Sequence, residues 1–110
     1  MAINYVVRYS SNPVDAKSYD TERLRKEFLV QELMKKDEVN LVYSMIDRYI
    51  VGGAVPVDKA LKLDPIDPLK ADFFLQRREM GVINVGGKGK VTVDGEEYIL
   101  ENTNALYIGR

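Results

Sequence analysis

Val91-Thr92-Val93-Asp94-Gly95-Glu96-Glu97-Tyr98-Ile99-Leu100 decides the fold class. Asp-Gly between two alternating runs favours a two-residue hairpin loop, because both loop residues then take positive φ. The implied register sets Val93 opposite Glu96, Val91 opposite Tyr98 and residue 89 opposite Leu100, so Val91, Val93, Tyr98 and Leu100 share one side. Downstream, Ala105 to Ile108 supplies a further strand. Upstream, Phe73 to Arg78 and Gly81 to Val85 read as strand segments around Glu79-Met80, closing at Gly86-Gly87-Lys88-Gly89. Asp64-Pro65-Ile66-Asp67-Pro68 is the clearest loop. Before it, Gly52-Gly53 ends a run, and the segment to Leu63, holding Pro56, suits a short edge strand.

The longest β-like run is Val39 to Val51, with Val39, Leu41, Tyr43, Met45, Tyr49 and Val51 on one side of the pleat and Asp47 alone interrupting that face. Ile3 to Tyr9 alternates as a strand at an edge or against a partner. Asn12-Pro13 can open a helical turn, with Asn as cap and Pro at the first helical position. Asp20-Thr21 precede a short helix in which Leu24 and Phe28 share a face. Residues 1–35 thus read as an N-terminal arm with a short helix, and everything after about Phe28 reads as β. The expected fold is mainly β, a sandwich or barrel of short strands with one short N-terminal helix.

A chain of 110 residues is one domain's worth of polymer, since domains cluster near roughly 100–150 residues. Sixteen Lys and Arg against 17 Asp and Glu leave a net charge of −1, which gives no drive toward nucleic-acid phosphates or anionic lipid. No apolar run approaches the ~20 residues that cross a bilayer, and Met1-Ala2-Ile3-Asn4 lacks a signal-peptide pattern, so a cytoplasmic protein is expected. There is no Cys, hence no disulfide, zinc ribbon or thiol nucleophile. There is no His either, which removes the commonest transition-metal ligand and the usual general base near neutral pH. No metal site is expected within the chain.

Four residues are candidates for chemistry. Arg77 and Arg78 can pair a substrate carboxylate through the guanidinium fork, although successive strand residues point to opposite faces. The structural alternative is an ion pair with Glu79 or Asp47. Asp47, on an otherwise apolar face, is a candidate general base if burial raises its pKa, with a salt bridge to an Arg as the alternative. Glu79 carries the same two readings. Gly86-Gly87-Lys88-Gly89-Lys90 is a turn and not a phosphate cradle, because Val91-Thr92-Val93 continues as a strand where a P-loop would enter a helix.

Glu79 and Gly86, with six residues between them, fit the Glu and Gly of the first cupin motif, whereas its two His positions fall on Phe73 and Leu75. The Gly-rich turn, the Asp-Gly hairpin and Ala105-Leu106-Tyr107-Ile108-Gly109 are also laid out as in cupins. The fold is therefore expected to be a cupin-like jelly roll. More specifically, Glu27-Phe28-Leu29-Val30, Val42-Tyr43-Ser44, Ile46-Asp47-Arg48, Ile50-Val51-Gly52-Gly53 and Arg77-Arg78-Glu79-Met80-Gly81-Val82-Ile83-Asn84-Val85-Gly86-Gly87 resemble the 5-keto-4-deoxyuronate isomerases of bacterial pectin breakdown.

That resemblance implies a longer enzyme of two cupin-like domains, with residues 1–110 as a single N-terminal domain. The zinc ligands would lie in the C-terminal domain, outside this chain. It further implies an aldose–ketose isomerisation of a uronate, 5-dehydro-4-deoxy-D-glucuronate to 3-deoxy-D-glycero-2,5-hexodiulosonate, in a homohexamer. The partners expected are the C-terminal cupin domain, further copies and the small-molecule substrate, with no nucleic acid and no membrane. The isolated chain is expected to be inactive. The competing reading is a non-catalytic cupin-like module for structure, oligomerisation or sugar binding.

Overall fold

In the computed structural model, which describes residues 3–110, chain order is β1 (Ile3–Arg8), α1 (Pro13–Ala16), α2 (Thr21–Phe28), β2 (Val39–Ser44), β3 (Tyr49–Ala54), a 3-10 turn (Asp67–Leu69), β4 (Met80–Ile83), β5 (Gly89–Val93), β6 (Glu96–Leu100) and β7 (Ala105–Ile108). The protein is mainly β, as its alternating runs require, with short helices confined to the N-terminal part. Two helices form there where one was expected. Asn12 Oδ1 accepts from Val14 N at 2.8 Å, and Pro13 supplies a pre-set φ, so the helical turn at Asn12-Pro13 becomes α1. Asp20 Oδ1 caps α2 by accepting from Arg23 N at 2.9 Å. No described helix is long and apolar enough to cross a membrane.

The chain divides into two compact units, meeting in sequence at Ile66 and Asp67. In the first, a three-stranded sheet has the order β1-β2-β3, with β1 parallel and β3 antiparallel to β2. β1 lies at an edge, as expected. Both helices sit in the crossover that a parallel pair needs. The core of this unit is β2 itself, where Val39, Leu41, Val42 and Tyr43 are all at most 7% exposed, joined by Ile66.

The continuous run from Val39 to Val51 is in fact a hairpin. Residues 45–48 reverse the chain, Asp47 and Arg48 at φ 56° and 50°, with Ser44 Oγ accepting from Ile46 N at 3.2 Å. Pairing of Tyr43 with Ile50 and Val42 with Val51 then moves Tyr49 and Val51 to the side of Val42, away from Leu41 and Tyr43. The anticipated common face does not exist. Gly52 and Gly53 also lie inside β3 instead of ending it. Close packing is the reason: a Cβ on Gly53 would stand 2.7 Å from Met34 Sδ and 3.0 Å from both Leu33 Cβ and Leu33 O.

The segment after Pro56 forms no edge strand. Val55 makes one isolated bridge to Lys36, and the Asp37 carboxylate then takes the amides of Val57 and Asp58, at 2.8 and 3.0 Å. Those amides are satisfied without a ladder. The bond from Val57 holds the Asp37 carboxyl below its usual 3.8 against the opposing effect of burial, and the bonds from Asp58 and Lys59 and the charge of Lys36 add to it.

In the second unit β4 pairs antiparallel with β7 and β5 with β6. Asp94 and Gly95 take φ 49° and 83°, and the hairpin has Val93 opposite Glu96, Val91 opposite Tyr98 and Gly89 opposite Leu100, the register read from sequence. Asn84 joins the pieces: its Nδ2 donates to Gly87 O and Leu100 O, both at 2.8 Å, while Oδ1 accepts from Gly86 N at 2.9 Å. The glycine-rich segment is thus a turn folded around an amide side chain. Phe73 to Arg78 is not a strand. Gln76 N donates to Phe73 O and Arg78 N to Leu75 O, and Gln76 Oε1 accepts from Asp72 N at 2.8 Å, so this segment turns on itself with no strand beside it.

Two outcomes follow from this packing. Gly53→Ala should lower stability by about 1–3 kcal/mol, the usual cost of overpacking, since Leu33 presents backbone to the new methyl; a urea midpoint unchanged from the parent would contradict the contact. The depressed Asp37 pKa contributes stability that is complete above pH 3.8 and is lost as pH falls below that value. Asp37→Asn should therefore flatten acid unfolding in that window, and exchange of the Val57 and Asp58 amides should accelerate with it.

Candidate functional site

Arg77, Arg78 and Glu79 occupy the end of the 71–79 turn and lead into β4. Because the segment is a turn, the strand rule that sent Arg77 and Arg78 to opposite faces does not govern them. Arg77 Nη1 donates to Lys70 O at 2.8 Å, which anchors the guanidinium to a backbone carbonyl instead of to Glu79. Glu79 is exposed and has another partner. β4 and β7 align Gly81 with Tyr107, and the Tyr107 hydroxyl donates to the Glu79 carboxylate, which together with burial and the Glu79 charge raises the phenol above 10.0. Glu79 is therefore one half of a carboxylate–phenol pair, which sequence reading missed. The register of Gly81 against Tyr107 is the signal that would have found it.

Asp47 lies in the exposed 45–48 turn of the other unit. Asp47 is exposed, so the buried position that the general-base reading needs is not the one it occupies. The expectation of a buried Asp47 is overturned, because the face it would have interrupted is broken at this turn.

A second constellation lies within the first unit, where a cleft of about 470 Å³ opens between the C-terminal end of β1 and the two helices. Arg8, Arg23 and Lys26 bring cations to it, Asp15 and Glu27 carboxylates, and Tyr9 and Tyr19 rings. Arg23 stacks its guanidinium over Tyr19 with 3.9 Å to the ring centroid. Glu27 accepts from Ser11 Oγ at 3.0 Å. None of these residues stood out from sequence, although Tyr19 and Arg23 are four apart around a helix N-terminus.

The donor set does not fit zinc. The chain has neither His nor Cys, and among the described residues no three carboxylates gather where they could hold a metal ion. Replacing Glu79 by Gln should return the Tyr107 phenol toward 10.0, read by site-resolved NMR titration; an unchanged Tyr107 midpoint would refute the pair.

No family model matches the chain. It is 54% identical over 109 residues, 99% of its length, to a Bacteroides fragilis protein named 4-deoxy-L-threo-5-hexosulose-uronate ketol-isomerase, of which it spans 39%. The corresponding "ketol-isomerase 1" of Bacteroides thetaiotaomicron gives the same figures. A Lachnospira eligens protein of the same name is 56% identical over 103 residues, 94% of this chain and 37% of the relative. The chain thus spans well under half the length of these relatives. Along nearly all of its own length, it is a homologue of one part of the 4-deoxy-L-threo-5-hexosulose-uronate ketol-isomerases.

Proposed function

We propose that the chain is the N-terminal, cupin-like domain of a two-domain aldose–ketose isomerase that converts 5-dehydro-4-deoxy-D-glucuronate to 3-deoxy-D-glycero-2,5-hexodiulosonate in the cytoplasm. The observation that carries this reading is the 54% identity across 99% of the chain to proteins named as such ketol-isomerases. In this reading zinc is held by residues outside the chain, and the whole protein is a homohexamer. The isomerisation moves a proton between the aldehyde carbon and its hydroxylated neighbour through an ene-diol. The chain's own contribution would be to orient the substrate carboxylate. Arg77, already fixed on Lys70 O, and Arg78 beside it are the groups suited to that, with the Glu79–Tyr107 pair as acceptor and donor for sugar hydroxyls.

A structural role for the same domain has its own support. Ile83, Val85, Ile99 and Tyr107 in the second unit, and Leu24 and Phe28 on α2, are large apolar side chains more than 40% exposed. A second domain or subunit that covers them would give the chain its scaffold function in the same enzyme. Arg77→Ala, Arg78→Ala and Glu79→Gln in the full-length protein separate the two roles. Loss of about tenfold or more in kcat/KM, the size of one charge-assisted hydrogen bond, with unchanged assembly places these residues at the substrate. Near-normal turnover leaves the domain as scaffold alone, and failure of the full-length protein to isomerise the uronate removes the enzymatic reading.

A further inference from the structure

The cleft beside β1 is lined by charged groups of both signs, three cations and two carboxylates. The protein carries a net charge of −1, yet Arg8, Arg23 and Lys26 converge on one opening of about 470 Å³. Among the described residues no carboxylate forms an ion pair with any of the three; the ion pairs on the surface belong to other lysines. Arg23 is further prepared for a ligand. Its Cζ lies 3.9 Å from the Tyr19 ring centroid, a cation–π contact that uses none of its N–H donors. Glu27 is held in place by Ser11 Oγ.

Cations alone would suit any anion. Here two carboxylates, Asp15 and Glu27, line the same opening, and they repel a bare phosphate or sulfate while accepting hydrogen bonds from hydroxyl groups. The exposed Tyr9 adds a ring on which the C–H face of a pyranose can lie. The volume falls in the range of about 300–1,000 Å³ common to small-molecule sites. We propose that this cleft binds a monosaccharide carboxylate, with Arg8 and Arg23 taking the carboxylate and Asp15 and Glu27 taking hydroxyls. The site involves none of Arg77, Arg78 or Glu79 and requires no isomerase activity.

Titration of D-glucuronate into the 15N-labelled chain, followed by NMR, tests the proposal independently of turnover. Saturable shifts are expected at the amides of Ser10, Ser11 and Asn12 and at Arg23 Nε. D-glucose, which lacks the carboxylate, and inorganic phosphate, which lacks the hydroxyls, should each bind about tenfold or more weakly. Arg23→Ala and Arg8→Gln, both in exposed or half-buried positions, should weaken D-glucuronate by a similar factor while leaving the amide spectrum of β2 intact; the second variant serves if the first disturbs α2. Shifts that do not saturate, phosphate binding as tight as D-glucuronate, or full affinity in a folded variant would each overturn the assignment.

Discussion

Backbone pairing of Val39–Ser44 along both edges, to Ile3–Arg8 on one and Tyr49–Ala54 on the other, is the constraint on which the first unit depends. A strand hydrogen-bonded on both sides must also cover its two faces, and the run Val39, Leu41, Val42, Tyr43 does so with apolar side chains on each. The parallel partner forces a long crossover, which the capped helices fill. The antiparallel partner brings glycines against Leu41 and the Leu33–Met34 segment, where a side chain would not fit. The cleft at the end of β1 is a by-product of that crossover, since it is where the chain leaves the sheet to enter the helices.

The second unit rests on a weaker arrangement. Two-stranded sheets are marginal in water on their own, and here two amide side chains, Asn84 and Asn102, tie the glycine turn to the end of β6 and the segment after it. Only Phe74 and Leu100 are buried among its large apolar groups. Such a surface fits a scaffold that is completed by more protein. That is the reading in which a chain homologous to part of a ketol-isomerase contributes an orienting wall and an interface, while the reactive centre lies elsewhere.

Local chemistry made some features legible and left others hidden. Asp94-Gly95 permits one turn and therefore one register, and Asn12 and Asp20 are caps whose function needs only the next three residues. The Val39–Val51 hairpin was concealed because Met45-Ile46-Asp47-Arg48 contains no Gly, Pro or Asn to announce a reversal, yet Asp47 and Arg48 adopt positive φ. Phe73–Arg78 opens with an apolar run that reads as a strand, but it folds into a turn held by its own backbone bonds. The Arg77-Arg78-Glu79 group was visible as neighbours in sequence, whereas the Tyr107 partner of Glu79 depends on the β4–β7 register. The cleft joins residues 8 to 27 through a crossover that no local pattern encodes.

Amide hydrogen exchange, measured on the 110-residue chain and on the full-length protein, tests the division between a self-sufficient unit and one completed by a partner. In the short chain the amides of Leu41, Val42 and Tyr43 should exchange slowest, those of β4, β5, β6 and β7 should exchange far faster, and only the latter should slow in the longer protein. Equal protection of both sets in the 110-residue chain would contradict the account.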